Sequence, residues 1–246
     1  MHYPLLQYIN FAILLAMILL VRNAWINFLG EFYGPPAWES ARKSKMLSPE
    51  LLKAKRKYDD KVRFYNFWLQ IRRIEKDGIP GDFAELGVYK GESARLIHLM
   101  APGRKLHLFD TFEGFPLADL EPETGAAAKY SVKDFADTSV NKVLRKIGDH
   151  ANVEVHAGYF PGSAKGLDNV VFALVNIDAD LYNPVKAGLD FFYPRLSPSG
   201  VILVHDYNDQ WKGLMRAVDE FTETIPEAPV PVPDDDGTIM IVKSAR

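Results

Sequence analysis

Hydrophobic and polar positions follow two different spacings between residues 77 and 246. Short apolar runs predict strands, and the segments between them, where apolar residues recur at helical spacing, predict helices. The run at residues 170–175 is apolar at every position, which suits a strand buried on both faces of a parallel sheet. The pattern predicts strands at 82–86, 105–110, 152–156, 170–178 and 200–206, and helices at 92–100, 139–147, 181–193 and 210–224.

The alternation of strands and helices predicts right-handed crossovers and therefore a doubly wound α/β sheet. Near the end of the chain, the apolar segments 230–232 and 238–242 flank an aspartate-rich turn that ends in Gly237, which predicts a hairpin. We therefore expect a mostly parallel, seven-stranded sheet with an antiparallel C-terminal hairpin, preceded by an N-terminal apolar helix.

The apolar segment at the N-terminus has nearly the length of a membrane span. Residues 3–21 carry no charged side chain, and a helix of this length covers roughly the ~30 Å hydrocarbon core of a bilayer. We predict a single transmembrane helix within residues 1–24, and the basic residues that follow it place the catalytic domain in the cytoplasm. The alternative is an apolar helix buried in the interface of a homo-oligomer or against the domain.

Residues 25–76 are predicted to form a linker and a basic, aromatic helical segment, followed by the main domain at 77–246. Gly34, Pro35 and Pro36 break the chain. Ser48 is a predicted N-cap, and the helical stretch after it is interrupted near Asp59. Apolar residues that recur at helical spacing should pack on the domain: Phe64, Phe67, Trp68, Ile71 and Ile74.

Composition narrows the classes of function. The chain has 246 residues, a net charge of −3 and no cysteine, which excludes disulfides and thiolate metal sites. Lys and Arg exceed Asp and Glu in residues 22–63, so the rest of the chain is acidic. An acidic domain argues against a nucleic-acid partner, because phosphates require a basic surface.

The most informative stretch is residues 81–93, which has the pattern of a buried strand, a glycine-bearing turn and the start of a helix. Such a unit brings backbone N–H groups and a helix N-terminus close to a ligand. Gly87 and Gly91 remove side chains that would block that approach. Glu85, inside the strand, is a carboxylate that needs a partner when buried. The G-x-G-x-x-G pattern of dinucleotide sites is absent.

Polar residues also stand at the ends of the predicted parallel strands, where doubly wound sheets bind their ligands. These residues are Glu85, Asp110, His156, Asp178, His205 and Asp206. Because buried carboxylates are costly, their recurrence at strand ends indicates a functional site rather than core packing.

Three of these strand ends can carry chemistry. Asp110 is placed to accept hydrogen bonds from ribose hydroxyls. Asp178, His205 and Asp206 can hold a divalent cation, which would lower the pKa of a substrate hydroxyl so that a nearby carboxylate takes its proton. We assign Asp180 to capping of the following helix.

These segments together resemble the macrocin O-methyltransferase family of class I, metal-dependent sugar O-methyltransferases that use S-adenosylmethionine. Residues 81–93 resemble the family's first motif, residues 109–116 its segment after the second strand, and residues 158–160 its Gly–aromatic–Phe element. Residues 177–207 are the most specific part. The resemblance runs from about residue 77 to residue 242 and implies a Rossmann-like class I methyltransferase fold.

The resemblance implies a role for each matched position. Residues of the first motif would bind the methionine and ribose part of S-adenosyl-L-methionine: Glu85, Gly87, Val88, Gly91 and Ser93. The ribose hydroxyls would contact Asp110 with Thr111, and the adenine side would lie near Gly158 and Phe160. The metal ligands would be Asp178, His205 and Asp206, with Asp178 or His205 helping to deprotonate the acceptor.

One position departs from the family's pattern. Its closing motif is usually Asp-Asp-Tyr, whereas this chain has His205-Asp206-Tyr207. Histidine is a neutral ligand that transition metals prefer more than Mg²⁺ does. Three interpretations stay open: a different metal such as Mn²⁺, a weaker Mg²⁺ site, or a metal-free site in which His205 is the base.

We therefore expect an S-adenosylmethionine-dependent O-methyltransferase held at the membrane, with a small-molecule or lipid-linked sugar as acceptor. Two alternatives come from other classes. One is a non-catalytic S-adenosylmethionine-binding or scaffold protein, and the other is a nicotinamide-dependent oxidoreductase, against which the missing dinucleotide motif and the terminal hairpin argue.

Overall fold

The centre of the fold is a sheet whose middle strands are buried on both faces, as their apolar runs predict. In the computed structural model, which describes residues 4–32 and 34–245, every residue of the strand Phe172–Ile177 is buried. The described chain divides into two units, one ending at Leu52 and the other beginning at Lys53. The sheet lies entirely in the second unit.

The described residues form helices and strands in the alternation that the sequence predicts. The helices are α1 Pro4–Phe32, α2 Pro36–Lys43, α3 Pro49–Lys57, α4 Lys61–Lys76, α5 Glu92–Met100, α6 Leu117–Leu120, α7 Val140–Ile147, α8 Tyr182–Arg195 and α9 Lys212–Thr222. The strands are β1 Asp82–Leu86, β2 Leu106–Asp110, β3 Val153–Ala157, β4 Phe172–Ile177, β5 Leu196–Val204, β6 Val230–Val232 and β7 Thr238–Val242.

Within the described residues the sheet has seven strands in the order β3-β2-β1-β4-β5-β7-β6. The first five strands are parallel, while β7 runs antiparallel to both β5 and β6. The prediction of a mostly parallel sheet with an antiparallel C-terminal hairpin is confirmed. The strand order reverses between β1 and β4, and in doubly wound sheets ligands bind beyond the strand ends at such a reversal.

The core consists of two apolar clusters, one on each face of the sheet. Alternate residues of the same strand enter opposite clusters, because side chains alternate across a strand. In β1, Ala84 joins the cluster formed with α8 and α9, and Phe83 joins the cluster formed with α4, α5 and α7. In β4, Val175 joins the cluster formed with α8 and α9, and Leu174 joins the cluster formed with α4, α5 and α7.

One predicted strand boundary is wrong. The strand predicted at 200–206 is β5, which begins four residues earlier at Leu196 and ends at Val204. The N–H of Ser199 donates to the Lys243 carbonyl at 2.8 Å, and the N–H of Lys243 donates to the Gly200 carbonyl at 3.0 Å. Pairing with the end of the chain therefore keeps this segment within β5 even though Ser199 has a left-handed φ of +64°, and local residue preference does not reveal that pairing.

Helix α4 packs one apolar face on the domain, as its spacing predicts. Its predicted interruption near Asp59 is confirmed, because the helix begins anew after Asp60. One Asp60 carboxylate oxygen accepts the N–H of Arg63 at 2.8 Å as an N-cap, and the other accepts the N–H of Asp235 at 3.0 Å. The start of α4 is thereby tied to the C-terminal hairpin.

At the N-terminus, residues 1–3 of the predicted transmembrane segment lie outside the described residues, and α1 begins at Pro4. Across residues 4–32 and 34–245, no helix combines the length and apolarity that crossing a membrane requires. The predicted transmembrane helix is therefore not supported. The cytoplasmic placement of the domain and its assembly into a homo-oligomer stay predictions.

Gly87 follows the last residue of β1 and lies against the end of β4. A Cβ atom at this position would stand 1.9 Å from the carbonyl oxygen of Asp178. The backbone φ of Gly87 is +86°, in the region that L-residues with side chains rarely adopt. Contact with the backbone at the end of β4 therefore requires glycine at position 87, independently of any ligand that the turn binds.

We predict that Gly87→Ala lowers the free energy of unfolding by about 3 kcal/mol or more, because the strand ends must separate and the backbone is strained. Urea-induced unfolding measures the effect. Gly103→Ala is the matched control, since nothing lies within 4 Å of its added Cβ. Equal stability of the two variants would contradict the account of Gly87.

Candidate active site

A cavity of about 480 Å³ opens at the carboxyl ends of β1, β2, β4 and β5. Its volume lies in the range of small-molecule and cofactor sites. Most of the residues predicted from the sequence line it: Gly87, Val88, Ser93, Asp110, Thr111, Gly158, Phe160, Asp178, His205 and Asp206. Of the predicted residues, Glu85, Gly91 and the strand-end residue His156 do not line the cavity wall.

Asp110 holds the turn of the first motif in place. Its Oδ2 accepts the backbone N–H groups of Val88 at 2.7 Å and Tyr89 at 2.8 Å, and its Oδ1 accepts that of Phe112 at 2.7 Å. These hydrogen bonds join the loops after β1 and β2. Asp110 therefore shapes the cavity wall in addition to presenting a carboxylate to it.

Glu85 lies behind the cavity wall and is fully buried. Its Oε1 accepts from the side-chain amide of Asn176 on β4 at 2.7 Å, while its Oε2 is buried without a hydrogen-bond partner among the described residues. Burial raises the pKa of Glu85 to about 8. Hydrogen bonding lowers this pKa, and so does the positive charge of Arg63, but together they offset only part of the effect of burial.

The catalytic carboxylate predicted at Asp178 is paired with a cation that sequence reasoning missed. Nη2 of Arg63, on α4, donates to Asp178 Oδ2 at 2.8 Å, and both side chains are largely shielded from solvent. Burial alone would raise the pKa of Asp178, but the positive charges of Arg63 and then His205 hold it well below its usual range. Asp178 is therefore ionised.

His205 lies between two carboxylates. Its Nδ1 is 3.3 Å from Asp178 Oδ1 and 3.2 Å from Asp206 Oδ1, and neither approach has the angle of a hydrogen bond. Burial alone would lower the pKa of His205, but the two carboxylates raise it to about 10. A ring with this pKa is protonated at neutral pH, which weakens the interpretation of His205 as the base of a metal-free site.

The capping role predicted for Asp180 is wrong. Helix α8 begins at Tyr182, and its N-cap residue is Leu181, without a side-chain hydrogen bond. Asp180 instead lines the cavity with a backbone φ of +58°. Burial and then the charge of Asp178 raise the pKa of Asp180 well above its usual value. Such strain in a non-glycine residue is typical of functional sites.

Aromatic rings form another wall of the cavity, which the sequence analysis did not identify. Tyr130 stacks on Trp211 with ring centres 5.4 Å apart and on Phe115 with centres 5.1 Å apart. Phe135 meets both Phe115 and Tyr130 edge to face. These residues come from the segment between β2 and α7 and from the start of α9, where no short motif marks them.

A signal for Arg63 was nevertheless present in the sequence. Arg63 occupies the same helical face as Phe67, Ile71 and Ile74, which the apolar spacing assigns to the core. A charged residue on a buried face requires a partner, because an isolated buried charge is costly. The identity of that partner, 115 positions further along the chain, has no local signal.

Residues 57–238 match the family model described as macrocin-O-methyltransferase. The chain belongs to the macrocin-O-methyltransferase family. It is similar to 8-demethyl-8-(2,3-dimethoxy-alpha-L-rhamnosyl)-tetracenomycin-C 4'-O-methyltransferase of Streptomyces olivaceus, with 29% identity over 162 residues, 59% of this chain and 60% of that protein. It is also similar to mycinamicin III 3''-O-methyltransferase of Micromonospora griseorubida, with 28% identity over 145 residues, 54% of this chain and 57% of that protein.

The matched region therefore spans about 60% of the length of these curated relatives. Among solved structures, the O-methyltransferase NovP superposes with a TM-score of 0.62 at 23% identity, covering 75% of this chain and 80% of that chain. The calicheamicin methyltransferase CalS11 superposes with a TM-score of 0.61 at 19% identity, covering 90% and 91%. These similarities confirm the Rossmann-like methyltransferase fold of this family member.

We predict that Arg63→Leu lowers the free energy of unfolding by about 3 kcal/mol, because it leaves the Asp178 carboxylate buried without its cation. Adding Asp178→Asn should recover part of this loss. Chemical denaturation measures both variants. Arg72→Leu is the control, since Arg72 is exposed on the same helix and packs on Trp68. Equal losses for Arg63→Leu and Arg72→Leu would be inconsistent with a buried ion pair.

Glu85 predicts a pH dependence of stability. Its folded-state pKa of about 8 lies above its ordinary value of 4.5. The contribution of Glu85 to the free energy of unfolding is therefore fully present below pH 4.5 and is lost as the pH rises through 8. Relative to Glu85→Gln, which stays uncharged, the unmodified protein should lose about 5 kcal/mol across this window.

Unfolding free energies measured at both ends of the window test this expectation. Glu113→Gln, at an exposed position, controls for the removal of one carboxyl group. A difference between Glu85→Gln and the unmodified protein that stays constant with pH would show that burial of Glu85 does not govern its ionisation.

Proposed function

We propose that this chain transfers the methyl group of S-adenosylmethionine to a hydroxyl group of a sugar or glycoside. The observation that carries the proposal is that one cavity joins the turn of the first motif to the group formed by Asp178, His205 and Asp206. Membership of the macrocin-O-methyltransferase family supports the reaction, and the two curated relatives, both named as O-methyltransferases, support a glycosidic acceptor.

The cofactor would be held by the walls that β1 and β2 contribute. The turn at Gly87 and Val88 lies open to the cavity, and Asp110 stands at its base with one lone pair of Oδ1 left for a ribose hydroxyl. Gly158 and Phe160 line the side that would contact adenine. When bound, S-adenosylmethionine supplies a methyl group on a sulfonium that a nucleophilic oxygen can attack.

A divalent cation fits the second half of the cavity. Nδ1 of His205 is buried without a hydrogen-bond partner among the described residues, and one ligand atom from each of Asp178, His205 and Asp206 lies within 4.8 Å of the others. Asp178 uses Oδ2 for Arg63, which leaves Oδ1 for the cation. A metal ion there would lower the pKa of the acceptor hydroxyl, and one imidazole with two carboxylates favours Mn²⁺ over Mg²⁺.

In this proposal the chain positions the acceptor and removes its proton. As the oxygen–carbon bond forms and the carbon–sulfur bond breaks, the hydroxyl proton passes to the ionised Asp178 carboxylate and then to solvent. Arg63 fixes the orientation of that carboxylate through Oδ2. The wall of Tyr130 and Trp211 offers flat apolar faces for the C–H face of a sugar ring, and the resulting alignment lowers the barrier.

The proposal is tested with the full chain, labelled S-adenosylmethionine and a panel of sugar nucleotides and glycosides that lack O-methyl groups. We expect S-adenosylhomocysteine to bind. Asp110→Asn should weaken that binding by about tenfold, and Asp149→Asn, at an exposed position, should leave it unchanged.

Asp178→Asn should lower kcat by about 100-fold while S-adenosylhomocysteine still binds. Stripping the protein with a chelator should abolish transfer, and Mn²⁺ should restore it better than Mg²⁺.

Each alternative has its own outcome. No binding of S-adenosylhomocysteine would overturn the proposal, and binding of a nicotinamide cofactor instead would favour the oxidoreductase. Binding without transfer to any acceptor would favour a non-catalytic role. Transfer that survives the chelator would reject the metal while leaving the methyltransferase reaction intact.

A further inference from the structure

A second group of metal-ligating side chains lies on the sheet, away from the active-site cavity. It consists of Asp82 on β1, His107 on β2, and Glu154 and His156 on β3, which we call the edge cluster. Strand β3 is the outer strand of the sheet. His107 pairs in register with Glu154, so their side chains share one face of the sheet, and His156 shares it two positions along.

The donor atoms of the edge cluster converge. Nδ1 of His107 lies 2.9 Å from Nε2 of His156 and 3.9 Å from Oε2 of Glu154. The other carboxylate oxygen of Glu154, Oε1, lies 3.7 Å from Nε2 of His156. Donor atoms around a tetrahedral Zn²⁺, with bonds of about 2.0–2.2 Å, stand roughly 3.4 Å apart. Each of the three separations is therefore within about half an ångström of that spacing.

Asp82 prepares His107 to act as a ligand. Its Oδ2 lies 3.0 Å from Nε2 of His107, and because an ionised carboxylate only accepts, Nε2 carries the hydrogen. Nδ1 of His107 then presents its lone pair to the cluster. Metal-bound histidines are commonly oriented in this way by a carboxylate on the opposite ring nitrogen.

The second imidazole is oriented by packing. The ring of His156 stacks on Phe109, with centres 4.6 Å apart and planes 14° apart, which leaves Nε2 directed at His107. Without a metal, that Nε2 donates its hydrogen to the lone pair of His107. A cation would take the place of this hydrogen, and the His156 ring would then carry its hydrogen on Nδ1.

The cluster is accessible from one side. His107 is buried, whereas the Glu154 side chain is 46% exposed and gives an ion a route to the two rings. The ammonium group of Lys105 lies 3.2 Å from Glu154, but its side chain is half-exposed and free to turn into solvent. None of the four edge-cluster residues is among the described residues that line the active-site cavity.

We propose that His107, Glu154 and His156 bind a divalent transition-metal ion of the Zn²⁺ class, with Asp82 orienting His107 and water as the fourth ligand. Two imidazoles and one carboxylate suit Zn²⁺ better than Mg²⁺ or Ca²⁺, which prefer oxygen ligands. The ion would join β2 to the outer strand β3, and it is distinct from the cation proposed beside Asp178. The proposal does not depend on methyl transfer.

The test is Zn²⁺ titration of the chelator-stripped full chain, in competition with a chromophoric chelator. The His205→Ala background removes the active-site group, so that only the edge cluster is measured. In that background we expect one equivalent of Zn²⁺ to bind and to raise Tm. Adding His156→Ala should weaken binding at least 100-fold, whereas adding His150→Ala, at an exposed histidine, should not change it.

A second variant, at an exposed side chain, separates the loss of Zn²⁺ binding from the loss of folding. Glu154→Gln in the same background should fold and weaken Zn²⁺ binding by about tenfold. Co²⁺ in place of Zn²⁺ should give the intense visible bands of tetrahedral coordination, and His156→Ala should abolish them. Absence of Zn²⁺ binding in the His205→Ala background, or binding that persists unchanged after His156→Ala and Glu154→Gln, would overturn the proposal and leave the cluster as a hydrogen-bonded network.

Discussion

The site depends on the close approach of two strand ends, at Gly87 after β1 and at Asp178 after β4. The N–H of Asp178 donates to the Leu86 carbonyl at 2.8 Å, and the Gly87 backbone lies directly against the Asp178 carbonyl. Because the strand order reverses here, this approach joins the turn of the first motif to the carboxylate group in one cavity. Any side chain at Gly87 would separate the two halves of the site.

The same approach concentrates acidic groups, and helix α4 compensates for them. Asp178, Asp180 and Asp206 share one wall, where burial and the charges of the other two carboxylates disfavour ionisation of Asp180. Arg63 contributes a buried positive charge to one oxygen of Asp178, and the N-cap at Asp60 fixes the helix that carries it. A helix outside the sheet thus supplies the positive charge that keeps Asp178 ionised in this acidic wall.

Much of the architecture follows from local pattern, and most of the errors come from long-range pairing. The predicted bounds of β1, α5 and β7 match the structure because each has an apolar pattern bounded by turn residues. The start of β5 was wrong because a hydrogen bond to Lys243, 44 positions away, holds Ser199 within the strand despite its left-handed φ. Asp180 was misassigned because aspartate before a helix usually caps it. Arg63 was missed because its partner lies on another element.

The two histidine sites show how the environment, rather than residue type, determines what an imidazole can do. His205 has both neighbouring carboxylates at the same nitrogen, so in the absence of a metal it holds a proton between them. His107 has its carboxylate on one nitrogen and a second imidazole on the other, so one lone pair is left facing a ligand position. His205 is therefore a neutral metal ligand only when a cation displaces its own proton, whereas His107 already directs an unprotonated Nδ1 at the ligand position and the hydrogen to be displaced belongs to His156.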